Sequence, residues 1–215
     1  QLLQIISDSI SRATGQHFKI ENISSASGGC INTAYTATGG NQSYFIKTNR
    51  YDAIDMFEAE RLSLDEIART KTIRVPIPIC TGQYNDHSWL VMENLQLQRQ
   101  GNQQHLAEQL AAMHRVTQTE YGWFCDNTIG STPQINTYSD NWISFFRDRR
   151  LGYQLTLARK KGCSRSLQQS GDSLLECIAD FFDGYHPQAS LLHGDLWGGN
   201  YAFLQSGEPV IFDPA

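Results

Sequence analysis

The sequence lacks several features that mark whole classes of protein. A membrane-spanning helix needs about 20 consecutive apolar residues. The sequence has no apolar run close to that length, so no membrane association is expected. Its first residues do not resemble a signal peptide, although the chain begins with Gln1 and not with Met. It also has no long run of Lys and Arg, and its formal net charge is −5. A nucleic-acid partner is therefore not expected either.

Cysteine is sparse and shows no pairing pattern. The 215 residues include five cysteines, an odd number, and no two of them form a CxxC pair. This spacing argues against a disulfide framework and against a structural zinc site. We therefore expect a protein of the reducing cytoplasm. The cysteines are Cys30, Cys80, Cys125, Cys163 and Cys177.

What the sequence does contain is two regions of different periodicity, with no internal repeat. With 40% hydrophobic residues, the chain is long enough for one large domain or two small lobes. The pattern predicts an α+β fold with a β-rich N-lobe at 1–93 and a mostly helical C-lobe at 94–215. Helices are predicted at 2–14, 56–70, 104–117, 140–160 and 173–185, strands at 17–26, 31–38, 43–49, 79–85 and 88–94, and a loop at 162–172.

The segment HGDLWGGN, residues 193–200, carries the strongest chemical signal. Asp195 precedes Asn200 by five positions, the spacing of the protein-kinase catalytic loop HRDxxxxN. We predict that Asp195 accepts the proton of a substrate hydroxyl and that the amide oxygen of Asn200 binds Mg²⁺. His193 is expected to brace the loop through hydrogen bonds. The alternative interpretation is a surface turn rich in Asp and Asn.

A second acid follows at the end of a predicted hairpin. The segment YAFLQSGEPVIFDPA reads as two short strands around a turn, and it places Asp213 thirteen residues after Asn200. In protein kinases the DFG aspartate arrives after such a hairpin and binds Mg²⁺. Here the triplet is DPA, so the match is one of role and position. The alternative is an Asp at a strand end that caps a turn.

A lysine and a glutamate in the N-lobe are predicted to form an ion pair. Lys47 lies in the strand YFIKTN, and Glu60 begins an apolar stripe with Leu64 and Ile67 on the following helix. A carboxylate on an inward-facing stripe needs a cationic partner, and Lys47 is the candidate. Glu58 lies on another face of that helix. The alternative is a solvated lysine on a strand.

Two further segments are candidates for nucleotide contacts. Gly28 and Gly29, in the loop between the first two strands, would let backbone N–H groups approach phosphates, although the loop is not a GxGxxG motif. The end of WLVMENL enters the C-lobe where a kinase hinge would bind adenine. By location, its candidates are Glu93, Asn94 and Leu95.

Taken together, these segments resemble the fructosamine-3-kinase, or ketosamine-3-kinase, family, relatives of aminoglycoside and choline kinases. The resemblance rests on SGGCINTAY, YFIKTN, MFEAERLSL, VPIPI, LVMENL, LAAMHR, YGWFCDNTIGSTPQIN, DNWISFFRDRRL, LLHGDLWGGN and IFDPA. It implies a bilobal protein-kinase-like fold and phosphorylation of the sugar 3-hydroxyl of ketoamines with ATP and Mg²⁺. The phosphorylated ketoamine then decomposes and frees the amine, which repairs glycation. The resemblance also implies that Trp197 lines the sugar-amine site.

The sequence departs from the family pattern at one point and leaves two other functions open. The family's helical lobe continues well beyond the DPA segment, so we expect the C-lobe of this chain to be incomplete. One alternative is a small-molecule kinase of aminoglycoside or choline type, with the same phosphate machinery. The other is a nucleotide-binding pseudokinase, which predicts the loss of catalytic residues. Lys47, Asp195, Asn200 and Asp213 are all retained.

Cys30 follows the two loop glycines and is a redox candidate. Backbone N–H groups gathered to hold phosphate would also favour a thiolate. Because no partner cysteine is near in sequence, oxidation is expected to link two chains into a homodimer, and ATP is expected to protect the thiol. The alternative is a small buried hydrophobic residue.

Overall fold

The structure, a computed structural model, describes residues 1–26 and 31–215. The elements of its first half are α1 (Leu2–Thr14), β1 (Asn22–Ala26), β2 (Thr33–Gly39), β3 (Gln42–Arg50), a 3₁₀ turn (Tyr51–Ala53), α2 (Ile54–Thr70), β4 (Pro78–Tyr84) and β5 (His87–Glu93). The five strands form an antiparallel sheet of order β1-β2-β3-β5-β4, with one helix on each face.

Alternation along β5 explains why both faces of the sheet are covered. Trp89 and Val91 belong to a buried cluster with Ile6 and Ile10 of α1. Leu90 and its neighbours on the opposite face belong to a second cluster with the apolar side chains of α2. Successive side chains of a strand point to opposite faces, so one hydrophobic run can serve two helices. The position of α2 against the sheet is thereby fixed, and α2 carries Glu60.

The second half is mostly helical with short strands. The elements are β6 (Leu97–Gln98), α3 (Gln103–His114), β7 (Thr117–Gln118), β8 (Asn127–Ile129), β9 (Thr132–Gln134), α4 (Trp142–Phe146), a π-helical turn (Arg147–Leu151), α5 (Gly152–Lys160), α6 (Arg165–Cys177), a 3₁₀ turn (Ile178–Phe182), β10 (Ala189–Ser190), β11 (Tyr201–Leu204) and β12 (Pro209–Ile211). A three-stranded sheet of order β12-β11-β6 joins the two halves, because the N–H of Ile211 in β12 donates to the carbonyl of Arg74 at 3.0 Å. No helix in the described part of the chain is both long enough and apolar enough to cross a membrane.

The predicted elements occur in the predicted order, but the structure adds the short strands β6 to β9, and the helix predicted at 173–185 is α-helical only to Cys177. The first strand begins at Asn22 and not at residue 17, because Phe18 is buried in the α1 cluster and does not pair in the sheet. The prediction of a loop at 162–172 is wrong. Helix α6 begins there, capped by Ser164, whose Oγ accepts from the N–H of Leu167 at 3.2 Å. A Cβ on Gly171 would press on the end of the Leu155 side chain, so α5 and α6 pack closely at this glycine.

Candidate active site

Lys47 lies between two carboxylates. Its Nζ is 2.5 Å from Oε1 of Glu60 and 2.5 Å from Oδ1 of Asp213. Strand β3 presents the lysine, helix α2 presents Glu60, and the segment after β12 presents Asp213. The structure thus joins three residues that lie as far apart as 166 positions in sequence. Glu58 is engaged elsewhere, since it accepts from Nε of Arg61 at 2.9 Å.

Burial determines the charges of this group. Lys47 is 7% exposed and Glu60 is 9% exposed. Burial alone would lower the pKa of Lys47, but the Glu60 and Asp213 carboxylates outweigh it and hold the pKa above its ordinary value. Burial raises the pKa of Glu60, and the nearby Asp213 charge adds to that effect. Lys47 therefore stays cationic, and its ammonium group lies between the two acids.

The catalytic-loop candidates face one another across a tight turn. Nδ2 of Asn200 donates to the backbone carbonyl of Asp195 at 2.9 Å and to its Oδ2 at 3.3 Å. Asn200 is 6% exposed, whereas Asp195 is half-buried. Because the nitrogen of the Asn200 amide is used to hold the loop, its oxygen is the atom left for a ligand.

His193 braces the same loop, as its sequence context predicts. Its Nε2 lies 2.9 Å from the carbonyl of Phe212, and its Nδ1 accepts from the N–H of Asp195 at 3.3 Å. These partners require a neutral ring with its proton on Nε2. Burial lowers the pKa of His193, and the hydrogen bond to Phe212 opposes this only in part. The histidine thus links the Asp195 loop to the Asp213 segment.

A pH dependence of stability follows from the lowered pKa of His193. The unfolded chain binds a proton at this residue below about pH 6.5, whereas the folded chain resists it. The contribution of His193 to the free energy of unfolding is therefore complete above the pKa that this residue has in the unfolded chain. It is lost as the pH falls toward the lower pKa of the folded chain, by at most about 1.4 kcal/mol per pH unit for one proton. Thermal melts between pH 8 and 5 should show a flatter profile for His193→Gln than for wild type. The exposed control His186→Gln should keep the wild-type profile, and an unchanged profile in His193→Gln would assign the titration elsewhere.

Backbone geometry at two positions holds the loop and the acid together. Asp213 has φ 58°, in the left-handed region that few residues other than glycine and Asp or Asn adopt. Gly194 has φ 87°, and a Cβ there would collide with the backbone of Ala215. The N–H of Ala215 donates to the carbonyl of His193 at 2.9 Å. The Asp195 loop and the DPA segment therefore pack backbone against backbone.

An open cleft of about 210 Å³ brings together six of the predicted site residues. Trp197 is 64% exposed at its edge, with its indole lying over Gly199. The cleft has further lining residues that the sequence analysis did not single out. Predicted residues in the cleft wall are Lys47, Glu60, Asp195, Trp197, Asn200 and Asp213. Residues missed include Asn32, Met56, Ala59, Ser63, Asn127, Thr128 and Pro214, of which Asn127 and Thr128 fall in the segment YGWFCDNTIGSTPQIN.

The predicted hinge residues lie outside that cleft wall. Oε2 of Glu93 accepts from Nη2 of Arg74 at 2.5 Å, and the backbone N–H of Glu93 donates to the carbonyl of Ile77 at 2.9 Å. Asn94 donates from Nδ2 to Oγ of Ser43 at 2.7 Å. Leu95 is half-buried and follows directly. The side chain of Glu93 therefore braces the segment after β5 through Arg74 and Ile77.

Three predicted residues lie outside the described part of the chain. Gly28, Gly29 and Cys30 belong to the segment between β1 and β2 that separates the two described ranges. The phosphate-loop and redox hypotheses stay predictions, as does the division into lobes at residue 93.

Comparison with known proteins places this geometry in a family. The fructosamine kinase family profile matches residues 2–215. This chain belongs to the fructosamine kinase family. A probable ketoamine kinase of Synechocystis is 44% identical over 99% of this chain and 72% of its own length. A chloroplastic protein-ribulosamine 3-kinase of Arabidopsis thaliana is 44% identical over 94% of this chain and 63% of its own length. The chain thus spans about two thirds of these relatives.

Solved structures agree on the fold. A Haemophilus somnus protein assigned as a fructosamine-3-kinase superposes with a TM-score of 0.89 at 27% identity, over 100% of this chain and 74% of the other. Aminoglycoside phosphotransferase APH(4)-Ia, in a complex with AMP-PNP and hygromycin B, gives a TM-score of 0.64 at 14% identity, over 97% and 70%. The predicted bilobal, protein-kinase-like α+β fold is confirmed.

Proposed function

We propose that the protein is an ATP-dependent kinase that phosphorylates the sugar 3-hydroxyl of ketoamines, the adducts of sugars with amines or protein lysines. The observation that carries the proposal is the convergence of Asp195, Asn200, Asp213 and the Lys47–Glu60 pair on one cleft of a fructosamine kinase family member. Relatives named ketoamine kinase and protein-ribulosamine 3-kinase support the acceptor class. The chain spans only part of the length of these relatives, so its activity and its acceptor are proposals.

Each side chain has a role that its surroundings favour. Asp195 is half-buried and held by Asn200, so its carboxylate can accept the proton of the attacking hydroxyl. Lys47 stays cationic and can neutralise phosphate oxygens, with Glu60 fixing its position. Phosphoryl transfer depends on positioning and charge neutralisation more than on covalent help. The placement of these side chains supports both roles, and the reaction needs no covalent nucleophile from the protein.

The oxygen ligands present fit Mg²⁺ that arrives with the nucleotide. The described residues include no group of three or more His, Cys, Asp or Glu that could hold a metal ion by themselves. Mg²⁺ bound to nucleotide phosphates needs only one or two protein carboxylates together with hard oxygen ligands. Asp213, whose side chain is 37% exposed, and the amide oxygen of Asn200 would hold it. The bound ion would neutralise charge on the transferring phosphoryl group.

The alternatives receive less support. The likeness to aminoglycoside phosphotransferases stands at 14% identity and therefore concerns the fold alone. A pseudokinase is not favoured, because the acid, amide and lysine of phosphoryl transfer are all present in the cleft.

The free cysteines among the described residues fit a reducing compartment such as the cytoplasm.

The test of the proposed function is ATP consumption by the full-length enzyme with Mg²⁺ and a panel of acceptors. The panel holds fructosamines, ribulosamines, aminoglycosides and choline, and NMR of the product locates the phosphate. We expect turnover with the ketoamines and phosphate on the 3-hydroxyl. Turnover restricted to aminoglycosides or choline would replace the proposed acceptor class, and none with any acceptor would favour the pseudokinase.

Trp197→Ala is expected to raise KM for the ketoamine far more than KM for ATP. An exposed indole at the cleft edge can stack on a sugar face or on the cationic nitrogen of the ketoamine. Such contacts are worth roughly 0.5–2 kcal/mol, or roughly 2–30-fold in KM. Trp197→Phe should retain part of the affinity. Equal increases in both KM values would instead indicate that the ring only packs the loop over Gly199.

A further inference from the structure

The β8–β9 hairpin forms a wall of the cleft that the roles above leave unused. Asn127 and Thr128 line the cleft together with Asp195 and Trp197. The segment before the hairpin is tied to the N-lobe, because the indole Nε1 of Trp123 donates to the carboxylate of Glu66 on α2. The wall is thus connected to the helix that carries Glu60.

A chain of hydrogen bonds fixes the hairpin and begins at Arg150. A guanidinium can only donate, so Oδ1 of Asn136, 2.5 Å from Nη2 of Arg150, must be the acceptor. Nδ2 of Asn136 is then free to donate, and it does so to the carbonyl of Cys125 at 3.1 Å and to Oδ1 of Asn127 at 2.8 Å. Asn136 is only 3% exposed, so this network is held away from water.

The same chain determines how the amide of Asn127 is oriented. Its Oδ1 accepts from Asn136 and also from Nε2 of Gln134 at 3.2 Å. A rotated amide would set its NH₂ group against the NH₂ group of Asn136, whose orientation Arg150 fixes, so that orientation is excluded. Within the described part of the chain, Nδ2 of Asn127 makes no hydrogen bond and is not a buried unpartnered atom. A fixed pair of N–H donors is therefore open on a residue of the cleft wall.

We infer that Asn127 is a specificity-determining residue that donates hydrogen bonds to sugar hydroxyls beyond the one that reacts. The inference rests on the proposed function. A donor of this kind cannot hold the cationic amine of a ketoamine, but it matches the hydroxyl oxygens of the sugar chain. Phosphate is a poorer match, because residues 127–134 contain no Lys or Arg and Asp126 precedes them. A donor that is already oriented loses little entropy on binding, which favours discrimination between acceptors.

The test compares acceptors of increasing sugar-chain length on one amine, beginning with a ketoamine that carries only the reacting hydroxyl. In wild type, kcat/KM should rise once further hydroxyls are present. Asn127→Ala should reduce the ratio of long-chain to short-chain kcat/KM by about tenfold, the value of a hydrogen bond at the upper end of its usual range. The KM for ATP should not change. Asn127→Asp, which keeps the oxygen that accepts from Asn136 but has no N–H donor, provides the same measurement if Asn127→Ala does not fold.

The matched control is Gln134→Ala, which removes the other partner of the Asn127 oxygen but leaves its N–H donors in place. It should keep the wild-type ratio. The inference is overturned if Gln134→Ala lowers the ratio of long-chain to short-chain kcat/KM as much as Asn127→Ala does, or if Asn127→Ala leaves that ratio unchanged. It is also overturned if Asn127→Ala raises the KM for ATP. If wild type turns over no ketoamine, the proposed function fails and the inference fails with it. A wild type that is active but indifferent to chain length overturns the inference alone.

Discussion

Asp195→Asn is expected to lower kcat by about 10²–10⁴-fold, the usual contribution of a positioned general base. The substitution preserves shape, and the new amide oxygen can still accept the Nδ2 hydrogen bond from Asn200, which is 3.3 Å long in the structure. ATP affinity should remain close to wild type, because Lys47, Glu60 and Asp213 are untouched. The measurements are kcat for the full-length enzyme with a ketoamine and the Kd of ATP by calorimetry.

The control for Asp195→Asn is Asp86→Asn in the exposed turn between β4 and β5, which makes the same change of charge away from the cleft. It should retain wild-type kcat. Wild-type turnover by Asp195→Asn would refute the assignment of this residue as the base. A parallel loss of ATP affinity would indicate that Asp195 acts mainly on the nucleotide or its metal.

Lys47→Met is expected to reduce both activity and stability. Loss of a preorganised charge at the phosphates should lower kcat/KM by about 10²–10³-fold. Removal of the cation also leaves the carboxylates of Glu60 and Asp213 close together without the lysine that both contact. Glu60 is the buried one of the two, at 9% exposed. Breaking a buried ion pair in this way costs about 3–5 kcal/mol. Chemical denaturation and steady-state kinetics measure the two effects.

The double variant Lys47→Met/Glu60→Gln separates the two roles of the lysine. Neutralising Glu60 removes the unpaired buried charge, so much of the lost stability should return. Activity should not return, because no cation is restored to the phosphate site. Recovery of activity in the double variant would mean that Lys47 acts only by balancing Glu60.

The site residues that can be predicted from the sequence are those that lie in short motifs with a fixed spacing. The five-residue interval between Asp195 and Asn200, and the strand that leads to Asp213, indicate phosphoryl transfer from the sequence alone. Glu60 lies on the same helical face as Leu64 and Ile67, and burial of both leucine and isoleucine agrees with that helical pattern. These signals are local, and local periodicity and loop length can be read directly from the chain.

Other features depended on contacts between distant segments. The sharing of Lys47 by Glu60 and Asp213 requires the packing of β3, α2 and the segment after β12. The orientation of the Asn127 amide depends on Asn136 and Arg150, up to 23 residues away, since residues 127 and 150 meet only through that network. The start of helix α6 is hard to predict because Ser, Gln and Gly, residues common in loops, dominate residues 162–172, whereas in the structure most of this segment is helical and packs on α5 near Gly171.

The sequence by itself determined the fold class, the family and the chemistry, because each is encoded in residue types at fixed spacings along the chain. Only the tertiary structure decided which carboxylates share the lysine, which backbone groups His193 contacts and so which of its ring nitrogens carries the proton, and that an oriented amide lines the cleft wall. These depend on burial and on hydrogen-bond partners, which arise only when segments far apart in sequence pack together and exclude water.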